Sequence, residues 1–326
     1  MGALDRTFTT LVLGSAQGIQ LRVLDLGASV QCLRVPTRRG WVPVALGLAR
    51  PADYLDDPHY LGATIGRYAN RIRGARFRLN GRQITLQANE LATGNCLHGG
   101  EYGFHRQRWR LAHGPDRRSI VCRFRSADGE GGFPGNVVTT VVYELLGPMS
   151  LAIHFHALAD RDTVLSLTNH TYFNLAPADG TVDRHQVRIH ASHYTPTDDR
   201  QIPIGELRAV RGTDFDLGDL TPLSTEHGPV RYDHNFAVTG ASGVLRAAAE
   251  AYAPSTGLRL RVQTTQPGVQ LYTGDGLSGA FHPRQGLCLE TQGFPDAPNQ
   301  AQFPTARLAA GEGYRHTTVY EFSQDP

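Results

Sequence analysis

Alternation with a period of two dominates this chain, and it constrains the fold more than any other feature. Successive side chains of a strand point to opposite faces, so alternating apolar and polar residues mark half-buried strands. Residues 75–86 alternate on both sides of Asn80-Gly81, a pair that tolerates positive φ and closes tight hairpins. Residues 120–124 alternate as well, and residues 137–146 and 151–158 are two long β runs hinged at Gly147-Pro148. Further strand signals occupy residues 163–167, 258–264, 269–273, 287–291 and 317–322, separated by clusters of Gly, Pro, Asn and Asp. The pattern predicts an all-β fold, a large antiparallel β-sandwich with few short helices. Residues 244–252 carry an Ala-Ala-Ala-Glu-Ala run that satisfies helix propensity yet fits a strand equally, and that choice stays open. No repeat, charge run or low-complexity linker marks a boundary, so the expectation is one domain over residues 1–326.

Composition then removes whole chemistries. The 32 Lys+Arg are all arginine, and the chain has no lysine. A P-loop, a Schiff-base lysine and a kinase strand lysine are therefore unavailable. Acid–base work falls to 14 His, 30 Asp+Glu and 12 Tyr. The net charge is +2 and the arginines are dispersed, which argues against a nucleic-acid partner. Cys32, Cys96, Cys122 and Cys288 form no C-x-x-C pair, so a zinc knuckle is not expected and reduced thiols in a cytoplasmic protein are. Near the N-terminus a Gly-Ser-Ala step at residues 14–16 mimics a cleavage site, but its apolar core, residues 11–13, is too short for a signal peptide. No stretch approaches a transmembrane span, and no membrane partner is expected.

Several motif matches fail on context. Gly274-x-Gly276-x-x-Gly279 follows a strand, but Pro283 arrives too soon for the helix that a dinucleotide fingerprint needs, so a turn is expected. Asp214-x-Asp216-x-x-Asp219 lacks the Gly and closing Glu of a calcium loop and reads as a polar turn. Asn169-His170-Thr171 is formally a glycosylation sequon, yet it lies in a strand-like, aromatic-rich segment.

Denser segments set polar residues among apolar ones: residues 62–72, residues 95–100, residues 167–175 and residues 289–296. Tyr232-Asp233-His234-Asn235-Phe236 and residues 267–273 support them. If residues 169–174 form a strand, His170, Tyr172 and Asn174 share one face. A lone histidine is usually a satisfied core residue, but Tyr and Asn beside it suit a face that lines a cleft. Glu290 ends a short apolar strand, where a carboxylate is either ion-paired or functional. Together these segments offer imidazole, carboxylate, amide, guanidinium and aromatic groups, with no nucleophile–base–orienter set. That inventory suits a polyhydroxylated ligand.

The same segments resemble the aldose 1-epimerase (galactose mutarotase) family. The likeness rests on G-R-x-A-N-R-I at Gly66 to Ile72, L-H-G-G at Leu97 to Gly100 and N-H-x-Y-F-N-L at Asn169 to Leu175. It continues through D-H-x-F at Asp233 to Phe236, P-G-x-Q-x-Y-T at Pro267 to Thr273, E-x-Q-x-x-P-D-A at Glu290 to Ala297 and L-x-x-G-E-x-Y at Leu308 to Tyr314. The resemblance implies a galactose mutarotase-like supersandwich with its site in a cleft on one face. It implies interconversion of the α and β anomers of free aldoses such as D-galactose and D-glucose. It assigns Glu290 as catalytic base and His170 as catalytic acid, and it maps sugar contacts onto Asn70, Arg71, His98, Tyr172, Asp233 and Gln270, with Arg67 a further contact. Relative to commoner members, extra residues lie between Arg71 and His98, near residues 91–94.

Such a reaction oxidises nothing, so no cofactor and no metal is expected. A base takes the anomeric proton while an acid protonates the ring oxygen. The expectation is an ionised Glu290 and a protonated His170, with Asp233 raising the histidine's pKa. The expected partner is a free aldose, and the expected assembly is a monomer or weak homodimer. The rival readings are the same fold on a pentose or a hexose 6-phosphate, a non-catalytic sugar-binding domain, and a glycosidase-like hydrolase or lyase.

Overall fold

The computed structural model describes residues 7–15 and 17–325; Ala16, in the step weighed as a cleavage site, lies outside the described residues. Three antiparallel sheets dominate. The largest has nine strands in the order Arg110–His113, Ser119–Ser126, Val137–Gly147, Ser150–Ala159, Gly313–Gln324, Leu258–Thr264, Arg246–Ala253, Gln186–Ile189 and Thr221–Pro222. A six-stranded sheet runs Tyr172–Phe173, Leu287–Gln292, Gly268–Tyr272, Asp233–Val238, Ala191–Tyr194 and Arg208–Ala209. A four-stranded meander, Thr10–Gly14 to Gly40–Pro43, completes the set. The predicted sandwich is thus the observed architecture, and among the described residues helix is confined to short 3₁₀ turns, the longest being Pro51–Asp56.

The alternation explains the layers. Val141, Tyr143, Ile153, Phe155, Leu260, Val262, Tyr320 and Phe322 of the nine-stranded sheet meet Phe236, Val269, Leu271, Leu287 and Leu289 of the six-stranded one in a single buried cluster. The hydroxyls of Thr291 and Thr318 touch between the two sheets. The long pair Val137–Gly147 and Ser150–Ala159 keeps one register from Val137↔Ala159 to Leu145↔Leu151 and shifts between Leu145 and Gly147, and its turn carries Pro148 as expected. Asn80 and Gly81 adopt φ of 50° and 77° and close the hairpin of Arg76–Leu79 on Arg82–Thr85.

The open choice at residues 244–252 resolves to strand Arg246–Ala253. Pairing on both sides, with Leu258–Thr264 and Gln186–Ile189, outweighs the alanines' helix propensity. A bulge between Ala247 and Ala249 restores alternation, so that Ala249, Ala251 and Ala253 enter the core. The run at residues 163–167 is a strand only at Thr163–Val164. Gly274 to Gly279 and the Asp214 to Asp219 stretch are turns and bends, as their contexts required.

Candidate active site

The strand Leu287–Gln292 is the floor on which the site is built. Leu287 and Leu289 point into the main core, so period two sends Cys288 and Glu290 to the opposite face. Gly268–Tyr272 repeats the division, with Val269 and Leu271 inward and Gln270 paired with Glu290 across the ladder. Asp233–Val238 lies next, with Asp233 opposite Tyr272. Three neighbouring strands therefore deliver Glu290, Gln270 and Asp233 to one face.

The opposite wall comes from the two glycine-rich segments. Arg71–Ile72 pairs with Cys96–Leu97. The N–H of Asn70 donates to Nδ1 of His98 at 3.1 Å, and the carbonyl of Asn70 accepts the N–H of His98 at 3.0 Å. Both residues sit in the left-handed region, with φ of 63° and 53°. Asn70 stabilises its turn further by accepting the N–H of Arg71 on Oδ1 at 2.9 Å.

Between the walls lies a cleft of about 590 Å³, a size suited to a small polar ligand. Asn70, Arg71, His98, His170, Tyr172, Asp233 and Glu290 line it. Gln270 stands behind them and donates through Nε2 to Oδ1 of Asp233 at 2.7 Å. His170 Nε2 approaches Glu290 Oε1 at 3.7 Å, and both side chains are almost fully buried. Oε2 of Glu290 and Oε1 of Gln270 are buried with no protein partner, unusual for polar atoms in an interior.

Two expected neighbours are absent from the cleft. Arg67 is buried against another loop, where it donates to Ser126 Oγ and to the carbonyls of Ala127 and Pro134. It braces that loop and touches no cleft residue through these bonds. Asn174 does not share the face of His170, because the strand is interrupted at His170 and Thr171; its amide donates to Gln285 O and Gly180 O and its Oδ1 accepts from Ala176. The sequon asparagine is likewise occupied: Asn169 donates to Gly62 O at 2.7 Å inside the core.

Protonation departs from the sequence-based expectation. Burial pushes the Glu290 carboxyl well above the usual carboxylate range; Asp233 adds to the effect and Arg71 opposes it. Burial pushes the His170 imidazole down to about 4. Burial of the pair therefore favours a protonated Glu290 and a neutral His170. Asp233 acts on the glutamate rather than lifting the histidine.

His98, His170 and Glu290 offer ligand atoms within 4.8 Å of one another, close enough to suggest a metal. The hydrogen bonding argues otherwise. Burial keeps His98 neutral, and its Nδ1 already accepts the Asn70 N–H, so the ring proton belongs on Nε2. That atom presents a donor, whereas a metal needs a lone pair.

Sequence reasoning missed several residues around the cleft, of which four bear on the site's geometry. Tyr60 and Gln201 line it, Glu90 grips Arg71, and Cys288 Sγ lies 3.6 Å from His170 Nδ1. Only Cys288 had a signal, being two residues from Glu290 on one strand.

The sequence model of the aldose 1-epimerase family matches residues 9–321. Galactose mutarotase of Mus musculus is 40% identical over 337 residues, covering 95% of this chain and 95% of that protein. Aldose 1-epimerase of Escherichia coli is 35% identical over 332 residues, covering 97% of this chain and 95% of that protein. Among solved structures, an aldose epimerase homologue from C. elegans superposes with a TM-score of 0.92 at 27% identity, over 98% of this chain and all, 100%, of the other.

Proposed function

The chain belongs to the aldose 1-epimerase family, and from that premise we propose that it interconverts the α and β anomers of free aldoses such as D-galactose and D-glucose, with Glu290 as base and His170 as acid. The observation that carries the assignment is the 3.7 Å approach of His170 to Glu290 inside a cleft lined by hydroxyl-binding groups.

The pair works by passing one proton around a closed loop. With a cyclic sugar bound, Glu290 is a carboxylate and His170 an imidazolium. Glu290 takes the proton of the anomeric hydroxyl, and that O–H electron pair forms the C1=O bond. The C1–O5 pair returns to O5, which takes the proton from His170. Opening leaves Glu290 protonated and His170 neutral, the distribution that burial favours. The aldehyde turns about C1–C2, and closure runs the transfers backwards on the other face. Each proton transfer contributes roughly 10²–10⁴-fold.

The other residues orient the sugar in this reading. His98 donates from Nε2 and Arg71 from its guanidinium, while Asp233, aligned by Gln270, accepts from hydroxyls. Asn70 sets the His98 ring, and Tyr172 offers an apolar face. The chemistry is redox-neutral and calls for no cofactor or metal. A single domain, a cytoplasmic setting and a monomer or weak homodimer belong to the same proposal.

Polarimetry tests it. Freshly dissolved α-D-galactose or α-D-glucose should reach its equilibrium rotation faster with catalytic amounts of protein than in buffer. Failure across a panel of aldoses would overturn the proposed activity. A Glu290→Gln variant with wild-type acceleration would overturn the assignment of the base.

A further inference from the structure

Tyr60 occupies an unusual position among the cleft residues. Its ring centroid lies 4.6 Å from that of His98, 4.7 Å from His105 and 5.7 Å from His170. The first two contacts are edge-on, and the ring is tilted by only 38° to His170. Its backbone is left-handed, with φ of 58°.

That conformation is enforced locally. Asp57 accepts the N–H of His59 at 2.9 Å and that of Leu61 at 2.7 Å, one on each carboxylate oxygen, and Ala63 N–H closes on Tyr60 O at 3.0 Å. The same turn grips the main chain of His170 at both ends. Gly62 N–H donates to His170 O at 3.0 Å, and His170 N–H donates to Ala63 O at 2.9 Å. Asn70, His98 and Gln201 are other cleft residues held at positive φ. Side chains held in that region against their preference concentrate where structure serves function.

We propose that Tyr60 is a positioning residue that walls the His170 imidazole and stabilises its cationic form through the face of the phenol ring. The inference rests on His170 being the acid. The titratable groups facing His170 are Glu290 and Cys288 from the floor strand, Tyr172 from its own segment, and the imidazoles of His98, His59 and His105. None of the imidazoles offsets a positive charge, and burial keeps Cys288 a neutral thiol. The Glu290 carboxylate faces the imidazolium from 3.7 Å in the proposed closed-ring state, and the two charges vanish together as the ring opens. The Tyr60 ring lies within the range of a cation–π contact, and it remains in place throughout the cycle.

The test keeps shape and changes only the ring's charge distribution. Tyr60→Phe should retain kcat within about twofold, because the aromatic face is kept. Phenylalanines with increasing fluorination at position 60 drain that face without altering packing. They should lower kcat stepwise toward about tenfold, leave KM nearly unchanged and move the acid limb of the pH profile to lower pH. Tyr60→Leu should lose at least as much. A flat kcat through the fluorinated series overturns the proposal, whether or not Tyr60→Leu folds. His170→Asn separates the two claims. If it is inactive and the Tyr60 series is flat, only the Tyr60 inference falls. If it is active, the acid assignment beneath it falls.

Discussion

Glu90 holds Arg71 in a bidentate contact, accepting from Nε at 3.1 Å and from Nη2 at 2.9 Å. The turn that follows Glu90 makes this possible. Thr93 and Gly94 both return their N–H groups to Glu90 O, and Asn95 steadies the carboxylate through Nδ2 at 3.3 Å. Leu91 and Ala92 face outward, Leu91 almost wholly exposed, while the residue before them reaches in. Glu90→Gln keeps the shape and removes the charge. It should raise KM for the sugar about threefold to tenfold with little change in kcat, as expected for loosening one partner of a charged, bidentate contact. Initial rates by polarimetry over a range of sugar concentrations give the split.

The pH–rate profile should be broad. In the proposed cycle the active state carries one proton on the Glu290–His170 pair, so activity should fall when the pair gains a second proton or loses its only one. Burial resists the second proton until the pH nears 4, and it delays loss of the last one well beyond the ordinary carboxylate range. Turnover should hold from about pH 5 through neutrality, with apparent pKa values that belong to the pair. A profile with an acid limb near 6.5 would show a His170 that burial does not depress.

Stability should depend on pH through buried neutral histidines. His185 accepts the N–H of Leu175 on Nε2 at 2.9 Å, and burial pushes its pKa down to about 4. Between that value and the ordinary 6.5 the unfolded chain binds a proton that the folded one refuses. Stability from this group is therefore complete above about 6.5 and is lost as the pH falls toward 4. His185→Gln can accept the same N–H without titrating. We expect it to be less stable than the wild type by ~1 kcal/mol at pH 7, and the gap to shrink by ~2–3 kcal/mol and reverse near pH 4. Urea unfolding at both pH values reads the crossing directly.

The donor assigned to His98 has its own test. Dialysis against a chelator should leave the rate unchanged, because Nε2 carries a proton rather than a lone pair. His98→Phe keeps the ring's bulk and deletes the donor, so kcat/KM should fall by about 10- to 100-fold, the order of one hydrogen bond to a buried polar ligand. A rate that disappeared on chelation and returned with zinc would contradict the tautomer.

The architecture was legible because burial on one face of a strand writes period two into the chain. Residues 137–158 and the Asn80-Gly81 hairpin were readable on those grounds alone. Residues 244–252 were not, since the partners that make them a strand lie on two distant segments. Within the cleft, Glu290 stood out as a carboxylate on an apolar strand, and the family motifs supplied the other names. Arg67 shows the limit of motif reading, because a buried arginine beside site residues can brace a loop instead. Tyr60 had no pattern to betray it: its importance lies in a backbone angle and in the rings of residues far along the chain.

One strand carries both the interior and the chemistry. Leu289 and Glu290 are adjacent, and their side chains leave the chain on opposite sides, one toward the densest packing and the other toward the ligand. A substitution at Leu289 or Val269 would touch no sugar, yet any backbone shift it caused would arrive at the carboxylate undamped. The position of that carboxylate is set by the packing behind it. Adaptation of this enzyme to heat or cold can therefore be sought in aliphatic residues on the far side of the sheet, where changes in rigidity and changes in turnover are the same event.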